Sequence, residues 1–181
     1  MGHRANFEEQ YTGPSFQGSY VAGVYYPDKT RVGWWKNGYP DYFAKVLNAP
    51  NWIGIYVQVN GEPLNLFTAA IHSFNRVLDM QGGVYTREVV LTTPNGIKLK
   101  IKAIRFLAMF QQELGCVKYS IQLYDQDAEL KVSPYVDGHI KNIDSNWDDP
   151  FWELKDQKCD RNFAYLHSRT LKSNFDVVSY Q

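Results

Sequence analysis

Cysteine is scarce in this chain: Cys116 and Cys159 are the two among 181 residues. Two thiols this far apart make neither a disulfide framework nor the C-x-x-C pair of a zinc or redox site, so both are read as reduced, in a reducing compartment. A charge excess of either sign is missing too. Nineteen Lys and Arg balance nineteen Asp and Glu to a net charge of zero, which removes the basic footprint that a nucleic-acid backbone requires. No nucleic acid is expected as a partner. The four histidines, His3, His72, His139 and His167, show no HxH or HxxxH spacing, so no metal site and no cofactor are expected. No apolar run is long enough to span a bilayer, and the start, Met1-Gly2-His3-Arg4-Ala5-Asn6-Phe7-Glu8-Glu9, lacks the hydrophobic stretch of a secretion signal. Asn6 also stands where a myristoylation signal needs a hydroxyl residue. A cytoplasmic protein without a membrane partner is expected.

Aromatic residues are plentiful, at 15% with 13 tyrosines and 5 tryptophans, which suits either a large β core or a sugar-stacking surface. Strand periodicity favours β structure. Ile97, Leu99, Ile101 and Ala103 alternate with Lys98, Lys100 and Lys102, the pattern of a strand with one buried and one wet face. The β-rich run Val84 to Thr92 precedes it, and the intervening Thr93-Pro94-Asn95-Gly96 predicts a hairpin in which Asn95 and Gly96 take positive φ. Ile53, Ile55, Val57 and Val59 share a second face, and Asn60-Gly61 turns the chain toward Leu64 and Leu66 in a second hairpin. Val117, Tyr119, Ile121 and Leu123 alternate as a further strand, with shorter β-like runs at Glu129 to Val132, Phe163 to Ser168 and Phe175 to Tyr180. No segment reads as strongly helical. One all-β domain is expected, an antiparallel β-sandwich.

Two stretches break the pattern and read as loops: Tyr26 to Pro50, crowded with aromatics, Gly and Pro, and Asp144 to Trp152. Long irregular segments of this kind are usually functional or braced.

The stretch from Gly18 to Pro40, with Trp34-Trp35-Lys36-Asn37-Gly38-Tyr39-Pro40 at its end, resembles the corresponding stretch of maltose phosphorylases. Arg4 to Glu9, Asn48 to Trp52, Leu78 to Arg87, Arg105-Phe106-Leu107 and Asp144 to Trp152 continue the resemblance, in order, along nearly the whole chain. The family is glycoside hydrolase family sixty-five, that of maltose, kojibiose and trehalose phosphorylases. The resemblance implies an amino-terminal β-sandwich joined through a helical linker to an (α/α)6 catalytic barrel and a small β domain. This chain is expected to be part of the sandwich, incomplete at both ends, with the barrel absent.

The implied reaction is phosphorolysis of an α-glucosidic disaccharide, maltose first. Inorganic phosphate, the co-substrate, attacks the anomeric carbon with inversion while a glutamic acid protonates the departing oxygen, giving β-glucose 1-phosphate and glucose. The logic is that of an inverting glycosidase with phosphate in place of water. An anionic nucleophile needs cations and donors to hold it rather than a general base. The acid and the phosphate site belong to the barrel, so no catalytic residue is assigned here and the chain alone is expected to be inactive. The expected partners of the whole protein are the disaccharide, phosphate, the barrel domain and a second copy in a homodimer.

Adjacent acidic pairs, Glu8-Glu9 and Asp148-Asp149, do not face each other across a substrate as a hydrolase's carboxylates must. Within the resemblance, Arg4, Glu8 and Glu9 read as polar contacts packing the sandwich on the barrel. Trp34, Trp35, Lys36, Tyr39 and Tyr42 form the candidate substrate rim, because flat aromatic faces pack on sugar rings while neighbouring polar groups bond hydroxyls. The competing reading makes them an interface brace. Trp147 and Trp152 read as core or interface. Two other functions compete with the phosphorylase domain: a free-standing carbohydrate-binding module, and a structural β-sandwich used for dimerisation.

Overall fold

The computed structural model describes residues 1–30, 38–124, 126–142 and 150–181. Fourteen strands and no helix are present among the described residues, in agreement with the all-β reading. The chain divides into two compact units. Unit 1 comprises Met1, Phe7–Ser15 and Ile53–Tyr135, and unit 2 comprises Gly2–Asn6, Phe16–Trp52 and Val136–Gln181. Two strands of unit 1, β5 (Asn51–Val59) and β11 (Leu130–Asp137), begin or end at its boundaries at Ile53 and Tyr135. They are neighbours in a three-stranded sheet completed by the short β6 (Glu62–Pro63).

The main sheet of unit 1 is antiparallel, in the order β10-β9-β8-β7, built from β7 (Ala70–Asp79), β8 (Val84–Thr92), β9 (Lys98–Leu107) and β10 (Gly115–Leu123). Register places Leu91, Leu99 and Leu123 on one rung and Val89, Ile101 and Ile121 on the next. Leu91, Leu99, Val89 and Ile101 are fully buried, and Ile55, Val57 and Val59 of β5 join the same core with Leu64 and Leu66. Each such side chain contributes roughly 1.5–3 kcal/mol by leaving water. Of the alternating lysines, Lys98 and Lys102 are exposed, while Lys100 is half-buried and pairs with Glu88 at 2.8 Å.

Both expected hairpins form, by different turns. Asn60 and Gly61 both adopt positive φ, 52° and 82°, and join Val59 to Glu62 as a two-residue loop. At the other turn Gly96 is left-handed, φ 83°, and Asn95 is not. Pro94 is the reason: its ring sets the first central angle of a type I turn, Gly96 N donates to Thr93 O at 2.9 Å, and Gly96 then absorbs the left-handed residue before Ile97.

Strand β7 carries no periodic signature in the sequence. All ten of its residues are exposed, and its pairing with β8 slips between Ile71 and Ser73. A strand with neither face covered has nothing to impose a period of two.

Unit 2 holds the sheet β12-β13-β14, from β12 (Trp152–Cys159), β13 (Ala164–Thr170) and β14 (Asp176–Tyr180), and a small pair, β1 (Gly2–Arg4) with β2 (Gly18–Tyr20). The stretch read as a loop from Tyr26 to Pro50 contains a hairpin instead, β3 (Tyr25–Lys29) antiparallel to β4 (Tyr42–Val46). Its inward positions are Tyr26, Asp28 and Lys45. Lys45 Nζ donates to Asp28 Oδ2 at 2.6 Å and lies 5.0 Å from the Phe151 ring centre. Two charged residues on the inward face hide the strand pair from a reading based on apolar alternation. Trp152, read with the second loop, begins β12, and the adjoining Phe151 packs with Tyr26 and Leu47 in a small core.

Candidate functional site

The inward face of β8 and β9 turns from apolar to charged along its length. Continuing the alternation Leu91, Val89 brings Arg87 inward, and continuing Leu99, Ile101, Ala103 brings Arg105 inward. Register puts Arg87, Ala103 and Tyr119 on one rung and Tyr85, Arg105 and Val117 on the next. Ala103 is small, which leaves room between its neighbours for the long Arg87 side chain.

Arg87 is completely buried and meets the carboxylates of Glu8 and Glu9, themselves buried. Its Nη2 donates to Glu9 Oε2 at 2.6 Å, and its Nη1 bonds Glu9 Oε1, a two-pronged pairing. Arg87 Nε donates to Glu8 Oε2 at 3.1 Å, and Nη2 lies 2.9 Å from the same oxygen. Tyr119 Oη donates to Glu9 Oε2 at 3.1 Å. Arg105 Nη1 stands 3.3 Å from Glu8 Oε1, close enough for charge attraction but off the line of a hydrogen bond. Two carboxylates and two guanidinium groups thus neutralise one another inside unit 1. Burial alone pulls the Arg87 guanidinium down, but the carboxylates of Glu9 and Glu8 outweigh it and hold the group above its ordinary value. Burial, reinforced by the Glu9 carboxylate, pushes the Tyr119 phenol well above its usual value.

Glu8 and Glu9, expected as interdomain contacts, therefore turn into unit 1 and pin the segment Phe7–Ser15 to the sheet, with Glu8 O accepting from Ile55 N at 2.6 Å. Arg4 is exposed, and its Nε donates to Phe16 O at 2.9 Å beside the rings of Phe16 and Tyr20. Sequence reasoning assigned no role to Arg87, Arg105 or Tyr119. A signal existed: each arginine occupies an inward position of an otherwise apolar strand face, which demands a buried anion.

Of the rim candidates, Trp34, Trp35 and Lys36 lie outside the described residues. Tyr39 and Tyr42 flank the start of β4 and are exposed, as are Phe43 and Val46 on the same strand. The Thr30 hydroxyl donates to Pro40 O, and Thr30 N donates to Asp41 O at 2.8 Å, which carries the β3–β4 pairing one position further. No group of three or more metal-ligating side chains occurs among the described residues.

Fold and site together define an antiparallel β domain whose buried charges serve its own architecture. Residues 1–181 match the glycosyl hydrolase family 65 N-terminal domain throughout, and the chain belongs to that family. It is 42% identical over 180 residues to a maltose phosphorylase of Bacillus subtilis (strain 168), covering 99% of this chain and 24% of that protein. An alpha,alpha-trehalose phosphorylase of Thermoanaerobacter brockii is 29% identical over 193 residues, covering 98% of this chain and 24% of its own length. The solved structure titled "Putative kojibiose phosphorylase from human microbiome" aligns with a TM-score of 0.82 at 26% identity, over 98% of this chain and 23% of that one. The chain spans about a quarter of the length of these relatives.

Proposed function

We propose that this chain serves as the amino-terminal domain of a disaccharide phosphorylase that cleaves maltose with inorganic phosphate. The observation that carries the reading is the 42% identity to a maltose phosphorylase across 99% of the chain, well above the 29% shared with a trehalose phosphorylase. In the proposed reaction a phosphate oxygen forms a bond to the anomeric carbon as the glycosidic bond breaks. The proton for the departing sugar oxygen comes from a carboxylic acid outside this chain. Inversion turns the α-glucoside into β-glucose 1-phosphate and frees glucose.

The domain's own part is to dock and to shape. At one end of the main sheet of unit 1, where the β7–β8 and β9–β10 connections lie together by register, Leu78, Met80, Phe106, Met109 and Phe110 are exposed, Met109 and Phe110 by 89% and 92%. A cluster of this kind marks an interaction surface. The remaining three quarters of the relatives' length supplies an occupant, the catalytic barrel. Glu8 and Glu9 are proposed to serve the barrel contact through the segment of unit 1 that they anchor, and Arg4, on unit 2, through a contact of its own with the barrel. The segment from Tyr26 to Tyr42, with Trp34, Trp35, Lys36, Tyr39 and Tyr42, is proposed to shape the acceptor-sugar side in a homodimeric enzyme. A cytoplasmic location accords with the unpaired Cys116 and Cys159.

The test is the full-length protein incubated with maltose and phosphate and followed by phosphorus and proton NMR. Phosphate-dependent appearance of β-glucose 1-phosphate is expected, with none from the 181-residue chain. Release of glucose without phosphate incorporation, or a preference for trehalose or kojibiose, refutes the reading. Release of the phosphate ester by the 181-residue chain refutes the location of the chemistry. Trp35→Ala is expected to weaken acceptor use in the synthetic direction more than it lowers the melting temperature, and the reverse result makes the segment a brace.

A further inference from the structure

Unit 2 contains an open cavity of about 250 Å³ whose wall is tied together by amide side chains. Asn6 donates through Nδ2 to Gly18 O at 2.8 Å and to Ser19 Oγ at 3.4 Å. Asn48 accepts at Oδ1 from Ser19 N at 2.8 Å and donates through Nδ2 to Lys141 O at 3.0 Å. Distant stretches of chain are thereby fixed around one space. Ala5 enters this wall left-handed, at φ 43°, a conformation that costs a residue with a Cβ roughly 1–2 kcal/mol and that gathers at functional sites. The bonding leaves capacity unspent. Among the described residues nothing donates to Asn6 Oδ1, nothing accepts the Ser19 hydroxyl proton, and the Gln17 side-chain amide makes no hydrogen bond. Asp137, also on the lining, accepts from His139 N at Oδ1, 2.8 Å away, while its Oδ2 takes no bond from a described residue. Asn6 and Ser19 are each only 4% exposed, and polar groups placed that deep ordinarily have partners.

We propose that this cavity binds a neutral polyol of monosaccharide size. Each hydroxyl of a polyol gives one proton and accepts another, and the unspent groups of the wall match that: Asn6 Oδ1 and Asp137 Oδ2 accept, the Ser19 hydroxyl donates, and the Gln17 amide does both. One carboxylate, Asp137, and one ammonium, Lys141, lie on the lining, and their charges cancel. A phosphorylated or a cationic ligand therefore gains nothing over a neutral one. The space, about 250 Å³, is several times the share of one water, about 30 Å³, and stands close to the lower end of small-molecule sites, about 300 Å³. No Trp, Tyr or Phe lines it, so hydrogen bonds rather than stacking carry the contact and the affinity is modest. The proposal does not rest on phosphorolysis by the full-length protein, and its readout is local to these residues, so sugar bound at a catalytic site is scored separately.

The experiment is amide hydrogen exchange of the full-length protein, read by mass spectrometry of its peptides, during titration with D-glucose. Glycine betaine over the same concentrations serves as a solute without hydroxyls. Saturable slowing is expected with glucose in the peptides that contain Gln17 to Ser19 and Asp137 to Lys141, with half-saturation on the order of 10 mM, and none with betaine. Gln17→Ala is expected to raise the half-saturation concentration about fivefold, by losing neutral hydrogen bonds, and Asp137→Ala about tenfold or more, by losing a charged acceptor. The melting temperature of each variant without sugar verifies that it is folded. Should Asp137→Ala fail to fold, Gln17→Ala carries the test, since among the described residues its side chain holds no other part of the structure by a hydrogen bond. Four results overturn the proposal: no saturable slowing in these peptides, which leaves the cavity to water alone; equal slowing with betaine; slowing confined to peptides outside residues 1–181; or half-saturation unchanged in every variant that folds.

Discussion

Replacing Arg87 by methionine keeps a long side chain in the interior of unit 1 and deletes the guanidinium that Glu8 and Glu9 share. Both carboxylates are fully buried as side chains, so neither can recover its solvation in place. Removing one partner of a buried ion pair costs about 3–5 kcal/mol. Arg105, 3.3 Å from Glu8, still offsets part of that carboxylate's loss, while among the described residues Glu9 keeps the Tyr119 hydroxyl alone. We therefore expect the lower part of the range, about 3–4 kcal/mol at about pH 8. Hydrogen exchange at the Val89 and Ile101 amides, in the core beside the cluster, reports the opening of unit 1 directly. Adding Glu8→Gln and Glu9→Gln should restore more than half of the loss, because the orphaned charges are then gone. A deficit below about 1 kcal/mol, or no recovery on adding the two Gln substitutions, refutes the account.

Tyr119→Phe removes the bond to Glu9 and should cost about 1.5–3 kcal/mol near neutrality. Because the folded Tyr119 keeps its proton where an unfolded tyrosine loses it, the native protein gives up stability as pH rises above about 10, and the gap to the Phe variant should narrow there; a constant gap refutes this. The hydrogen bonds of Arg169, then of His167, hold the Asp176 carboxyl down to about 2 from an ordinary value of 3.8. Its contribution to stability is then complete above 3.8 and lost as pH falls through about 2, and an NMR titration of Asp176 with a midpoint near 3.8 contradicts it. Gly61→Ala should cost about 1–2 kcal/mol through backbone strain alone, since φ is 82° and nothing lies within 4 Å of the added methyl. Unchanged urea denaturation of that variant argues against the two-residue turn.

Strand positions were legible wherever one face is covered. Ile97 to Ala103 and Ile53 to Val59 alternate because water removes every second side chain from consideration as core, and that constraint is local enough to be written in consecutive residues. Asn60-Gly61 was legible for the same reason, since two successive left-handed residues restrict composition directly. Where the tertiary environment supplies the partner, the local pattern falls silent: β7 is uncovered on both faces, β12 is largely polar and slips in register between Leu154 and Asp156, and β3–β4 buries Asp28 against Lys45. Family membership was legible too, because Gly18–Pro40 and Leu78–Arg87 preserve residue order rather than geometry.

The inward direction of Arg87 follows from its own strand, two residues before Val89 and four before Leu91. What the arginine meets there does not. Glu8 and Glu9 lie 79 and 78 positions away along the chain, Tyr119 reaches Glu9 across 110, and Tyr135 settles on Gly54 from a different strand. Which side chains leave water, and where the chain must turn, depend on near neighbours and backbone sterics and so are written in consecutive residues. Which charges cancel, and which ring covers Gly54, came from the fold, because distant strands meet through packing of the whole sheet rather than through any rule on adjacent residues.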